Sequence, residues 1–179
     1  MLTIKQLNEI KEHLDKCQNP LFFFDNDADG LCSFLILQRY VGSGKGVPIR
    51  GVSELGKSYF RKVEELNPDY IFILDQPSVS QEFFDLVNER GLPLVYIDHH
   101  NVDPPKIDNY YNPFMVTKTN EPTSYLCYHA TKRKEDLWFA VLGCIADGYI
   151  PDFFDEFKEQ YPDIFTGNLE TPFDARFKT

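Results

Sequence analysis

Leu21-Phe22-Phe23-Phe24-Asp25-Asn26-Asp27-Ala28-Asp29-Gly30 decides how the whole chain is read. Four consecutive apolar residues behind Pro20 lack the alternation of a half-exposed strand. They fit a strand buried on both faces, as in a parallel sheet covered by helices. The strand stops at a turn crowded with carboxylates and closed by glycine, and a helix is expected over residues 31–40. The pattern recurs: Tyr70-Ile71-Phe72-Ile73-Leu74 ends at Asp75, and Leu94-Val95-Tyr96-Ile97 ends at Asp98-His99-His100. A further strand is expected over residues 48–52.

Between the strands lie helical patterns. Ile4, Leu7, Ile10 and Leu14 mark a helix over residues 2–17 by their spacings of three and four. Residues 58–66 and 80–90 read as two more, the second closed by Gly91. The alternation places the chain in the α/β class, as a doubly wound, mostly parallel sheet with helices on both faces. Residues 101–122, rich in Asn, Asp and Pro, read as a crossing loop with one short strand. Helices follow over residues 123–131, 135–146 and 152–160, and the tail beyond shows little periodicity. The length of 179 residues fits a single domain over residues 1–179, with its motif-bearing core at about 21–151.

Composition narrows the function classes. A hydrophobic content of 42% offsets chain entropy and argues against global disorder. The net charge of −10 suits long nucleic acid poorly, because affinity for phosphates comes largely from Lys and Arg, and few of these cluster in the sequence. Cys17, Cys32, Cys127 and Cys144 show no CxxC spacing and read as reduced core residues. Met1 is followed by a polar amphipathic segment, and no apolar run approaches the ~18 residues of a membrane span. A cytoplasmic location and no membrane partner are therefore expected.

Three of the four expected strands end in acidic residues, and this carries the chemistry. In parallel α/β sheets ligands bind outside the carboxyl ends of the strands, so residues dozens of positions apart converge in one crevice. Several carboxylates in one site repel one another unless some hold protons or a multivalent cation sits among them. Oxygen and imidazole donors together suit Mn²⁺, with Mg²⁺, Co²⁺ and Zn²⁺ as lesser candidates. The plain alternative is turn chemistry, with Asp29 merely capping the helix near Leu31. It accounts for any one of these acids better than for all of them beside two histidines.

Asp25-Asn26-Asp27-Ala28-Asp29-Gly30, Ile73-Leu74-Asp75, Asp98-His99-His100 and Gly143-Cys144-Ile145-Ala146-Asp147 resemble, in order, the four motifs of the DHH phosphoesterase family. The DxDxDG opening resembles the RecJ-like branch, whereas the pyrophosphatase-like branch tends to open with His. Asn112-Pro113 and Thr123-Ser124-Tyr125 also sit where the family has an NP and a small-polar helix start. The resemblance implies one metal on Asp25, Asp27 and Asp75, and a second on Asp29, Asp75, His99 and Asp147, with Asp75 bridging. It places His100 at the substrate phosphate and Asp98 behind a histidine. Asp147 rests on the resemblance most, since Ala146-Asp147-Gly148 alone reads as a helix end. The second substrate domain usual in the family, DHHA1, has no match here, so a partner chain or a missing domain would complete the cleft.

The implied activity is a phosphodiesterase using two Mn²⁺ ions on short single-stranded nucleic acid or small oligonucleotides. Two alternatives stand beside it: a non-catalytic Cdc45-like replication or repair module, and a pyrophosphatase-like phosphohydrolase. His13 and His129 read as solvated or satisfied, and Phe153, Phe154 and Phe157 as core or interface.

Overall fold

A computed structural model describes residues 1–50 and 54–164. Five strands, β1 (Pro20–Asp25), β2 (Lys45–Ile49), β3 (Tyr70–Leu74), β4 (Leu94–Ile97) and β5 (Tyr110–Tyr111), form one sheet in the order β2-β1-β3-β4-β5, parallel throughout. Among the described residues eight helices accompany it: α1 (Ile4–Lys16), α2 (Ala28–Val41), α3 (Phe60–Leu66), α4 (Gln81–Glu89), α5 (Pro113–Val116), α6 (Thr123–Thr131), α7 (Leu137–Ala146) and α8 (Phe154–Gln160).

Both sheet faces are buried, which explains the unbroken apolar runs. Phe22, Phe24, Phe72, Leu74, Val95 and Ile97 point into a core shared with α1, α2, α6, α7 and α8. Their neighbours Leu21, Phe23, Ile71, Ile73 and Tyr96 point to the other side, where α3 and α4 supply Val63, Phe83, Phe84 and Val87. The chain runs outward from β1 to β2, then returns to β3 on the opposite side of β1. That reversal opens a crevice at the carboxyl ends of β1 and β3.

Several boundaries differ from the sequence reading, each for a local reason. Strand β2 runs from Lys45 to Ile49, beginning three residues before the expected 48–52 and ending before Arg50, while residues 51 and 52 of that expectation lie outside those described. Gly44, at φ +97°, brings the chain so close to the start of β1 that an added Cβ would lie 2.6 Å from the Pro20 carbonyl oxygen. Pro48, which has no N–H to give, is tolerated because β2 is an edge strand. Helix α1 starts at a capping box between Thr3 and Gln6. Short 3₁₀ turns, Lys57–Tyr59 and Lys134–Asp136, precede α3 and α7 where continuous helices were expected.

All four cysteines are free and buried. His13 Nδ1 lies 2.6 Å from the Tyr70 hydroxyl, and His129 Nε2 3.3 Å from Asp152, so both histidines are satisfied. Phe153 and Phe157 are core residues, with Phe154 packed against them. Among the described residues, no helix is long and apolar enough to cross a membrane.

Candidate metal centre

Strand β1 delivers its carboxylates to the crevice through a tight turn into α2. Asp25 accepts from the Asn26 amide at 2.7 Å, and Asp27 caps α2 by accepting from the Gly30 amide at 2.9 Å. A Cβ on Gly30 would lie 2.3 Å from the Asp25 carbonyl oxygen, so only glycine permits the turn. The cap is thus Asp27, and the alternative of Asp29 as cap of its own helix does not hold. Asp29 is fully buried and reaches across to α6, accepting from the amides of Thr123 at 2.7 Å and Ser124 at 2.9 Å. Helix α6 has Pro122 in the cap position with no side-chain cap bond, so Asp29 supplies from 94 residues away the anion its N-terminus favours.

Asp75 leaves β3 with φ +57°, a left-handed conformation uncommon outside glycine, while its amide stays bonded to the Ile97 carbonyl at 3.0 Å. Its carboxylate is 1% exposed and accepts from the Thr123 hydroxyl at 3.2 Å. His99 Nε2 lies between two acids, 3.2 Å from Asp75 and 3.3 Å from Asp147. Its Nδ1 lies 3.0 Å from the Asn120 side-chain oxygen. Assigning the proton to Nδ1, as that acceptor requires, leaves the Nε2 lone pair facing the carboxylates.

His100 sits at the end of a hydrogen-bonded relay. Asn112 Nδ2 donates to the Tyr110 hydroxyl at 2.7 Å, Tyr110 donates to Asp98 at 3.3 Å, and the other Asp98 oxygen accepts from His100 Nδ1 at 2.7 Å. Asp98 is fully buried, so the relay fixes its orientation. Asn112 also caps α5 by accepting from the Phe114 amide at 2.9 Å, which accounts for the Asn112-Pro113 pair.

The electrostatics are those of acids forced together. Burial pushes Asp75 well above the usual carboxylate range, and repulsion from Asp29, Asp27, Asp98 and Asp147 pushes it the same way. Burial and the Asp29 charge raise Asp147 to about 6, against which His99 works. Asp29 and Asp25 are also raised, chiefly by burial. His100 is raised by its hydrogen bond to Asp98, with burial opposing. Among the described residues no Lys or Arg forms an ion pair with any of these acids.

Two sets of side chains bring ligand atoms within 4.8 Å of one another: Asp75, His99 and His100, and Asp29, His99 and Asp147. Asp25 and Asp27 belong to neither and stand at the more open rim of the crevice. His100 joins the first set, where the resemblance had placed it at the substrate, and Asp98 lies behind it. The donors are carboxylate oxygens and imidazole nitrogens, with buried negative charge that no described lysine or arginine offsets. They fit a divalent ion of the Mg²⁺, Mn²⁺ or Co²⁺ kind. The resemblance had marked Thr123 only as part of a small-polar helix start, and nothing in the sequence marked Asn120 or Tyr110 as supports, since neither lies in a charged motif. Only their position after a strand end or at a helix start could have drawn attention to them.

Residues 21–148 match the DHH family, N-terminal domain. The chain belongs to the DHH family. Its fold is similar to that of the exonuclease RecJ bound to manganese, at 20% identity over 82% of this chain and 44% of that one, with a TM-score of 0.66. RecJ in complex with Mn²⁺ from Thermus thermophilus is similar at 22% identity over 83% of this chain and 25% of that one, with a TM-score of 0.63. CDC45 from Entamoeba histolytica aligns at 15% identity over 94% of this chain and 41% of that one, with a TM-score of 0.57. This DHH chain thus spans less than half the length of each of these proteins. No curated protein matches it by sequence.

Proposed function

We propose that this DHH-family chain is a RecJ-like, divalent-metal-dependent phosphodiesterase that hydrolyses short single-stranded nucleic acid or small oligonucleotides. One observation carries the reading: buried Asp29 and Asp75 and the partly exposed Asp147 gather around the free nitrogen of His99, with no lysine or arginine among the described residues to neutralise them. Asp25, Asp27 and Asp75 would hold one Mn²⁺, and Asp29, Asp75, His99 and Asp147 a second, with Mg²⁺ or Co²⁺ able to substitute. Such ions supply an activated water and stabilise the charge that develops on a phosphate under attack.

The chain's own residues do the rest. Asp98 holds the Nδ1 proton of His100 and favours its cationic form, so His100 Nε2 can donate to a phosphate oxygen. Asn120 holds the Nδ1 proton of His99 and keeps Nε2 turned inward. The remainder of the substrate cleft would come from a partner chain or a further domain. The fold shared with CDC45 keeps a non-catalytic replication module as the second reading. The complete acid and histidine set weighs against it, since a module without catalysis has no need to keep acids that repel one another.

The test is hydrolysis of a 5′-labelled oligonucleotide panel with Mn²⁺, alongside pyrophosphate and cyclic dinucleotides. Products from two- to six-nucleotide substrates that vanish with EDTA are expected. Mn²⁺ binding without turnover of any substrate would support the non-catalytic reading instead, and turnover of pyrophosphate alone would replace the diesterase with a pyrophosphatase.

A further inference from the structure

The chain is acidic as a whole, yet residues 45–62 carry Lys45, Arg50, Lys57, Arg61 and Lys62 against a single acid, Glu54. The fold gathers part of this charge around a cavity of about 300 Å³ at the outer edge of the sheet, lined by Arg50, Ser58, Tyr59, Arg61 and Lys62. Arg61 and Lys62 share one neighbouring acid, Glu65, at 3.3 and 2.6 Å, so a single carboxylate serves two cations. Arg61 remains 74% exposed in its side chain, which leaves its guanidinium able to meet an incoming anion.

The cavity is held in place and faces the right edge. Tyr59 accepts from the Arg50 amide at 3.1 Å through its hydroxyl and packs edge-on against Phe23 with ring centres 6.3 Å apart, so the wall is tied to the core. Ile49 of β2 pairs with Asp25 of β1, and Arg50 is the next residue. The cationic wall therefore begins one strand from the first metal-site acid, on the same carboxyl edge of the sheet.

We infer that this cavity is an accessory phosphate site, taking a phosphate of an oligonucleotide some nucleotides from the one at the metal centre. Arg61 offers a planar fork to two phosphate oxygens, Lys62 adds a point charge, and the Tyr59 ring and Ser58 hydroxyl give a wall for the adjoining sugar or base. The inference deepens the proposed function and rests on it for the identity of the substrate. With so few cations, the site extends the grip by a few nucleotides and cannot hold a long strand.

The experiment measures binding of labelled oligodeoxynucleotides of two to six nucleotides, and of inorganic polyphosphate of matched charge, with Ca²⁺ in place of Mn²⁺. Wild-type protein is compared with Arg61→Ala/Lys62→Ala and with the charge-preserving Arg61→Lys/Lys62→Arg. The expected result is that affinity rises with oligonucleotide length in the wild type, that the alanine pair removes most of this rise, and that the charge-preserving pair keeps it. Loss of the one phosphate held there should also flatten the slope of log affinity against log salt by roughly 0.7. Equal length dependence and salt slope in wild type and alanine pair would overturn the inference. So would a rise with polyphosphate alone, which would assign the cavity to a different anion. Because the readout is binding, absence of hydrolysis would defeat the proposed phosphodiesterase while leaving this result to stand or fall by itself.

Discussion

Asp136 and Asp75 are both buried aspartates, at 0% and 1% exposure, and the fold treats them in opposite ways. Asp136, beside the start of α7, meets Arg39 at 2.6 Å in a hydrogen bond and Arg133 at 3.1 Å in an ion pair. Its charge is answered within the chain. Asp75, at the end of β3, meets the Thr123 hydroxyl and the His99 imidazole and faces four further acids. A buried charge with its counterion in the sequence is architecture. One whose neighbours repel it must either hold a proton or be met by a cation from outside the chain.

The largest effect tests the first half of that contrast. Arg39→Ala/Arg133→Ala should strip Asp136 of both partners and cost about 3–5 kcal/mol of stability, while Mn²⁺ affinity measured on the folded variant stays near wild type. Thermal and urea unfolding measure the loss; a drop under about 1 kcal/mol would make Asp136 no more structural than Asp75. The second effect should run the other way. Asp75→Asn keeps a residue that accepts a positive φ, removes one repelling charge, and should raise the metal-free melting temperature while weakening Mn²⁺ binding at least ~100-fold, about 2.7 kcal/mol. Calorimetry decides it, and intact metal binding in the variant would remove Asp75 from the centre.

A smaller change sharpens the role of the supports. Asn120→Ala frees the Nδ1 of His99 and should weaken Mn²⁺ binding roughly 10- to 100-fold with the fold intact, as loss of an outer partner of a metal-ligating histidine does. Unchanged affinity would show that His99 is held by other means.

The smallest effect concerns pH. Asp147 is raised from 3.8 to about 6, so between those values the folded metal-free protein binds more protons than the unfolded chain. Its stability should therefore fall as pH rises from about 4 to above 6, with buried Asp75 and Asp29 acting in the same direction. Saturating Mn²⁺ should reverse that slope, since ligation favours the ionised acids. A metal-free melting temperature that climbs across the same interval would contradict the crowded-acid picture.

Much of this was legible in the sequence because burial on two faces writes itself as uninterrupted apolar runs. Phe22 to Phe24, Ile71 to Leu74 and Leu94 to Ile97 each announce a central strand, and the acids that stop them announce the crevice. Strand β2 was blurred because an edge strand carries Lys45, Gly46 and Pro48 with little apolar signal. The 3₁₀ turns before α3 and α7 share the periodicity of the helices they lead into, so sequence spacing merged them. Asn120 and the Asp29 contact with α6 were invisible for a different reason: each joins residues far apart in sequence through geometry that only the assembled sheet creates. The excess of cations over residues 45–62 was present in the sequence and went unread, because only the packing of α3 beside the end of β2 shows that Arg50, Arg61 and Lys62 line one cavity.

The two outer strands have a bearing on how the protein behaves at high concentration. An open parallel sheet offers unpaired N–H and C=O groups at each edge, a template on which another chain can add a strand and start an aggregate. Here one edge, β2, carries a lysine and a proline that cannot donate to an added strand, and the other, β5, is only two residues long. Among the described residues, neither edge gives a neighbour a long ladder to copy. The apolar strands that build the core are thereby kept from recruiting chains, and replacing Pro48 with a β-branched residue would open the longer of the two routes.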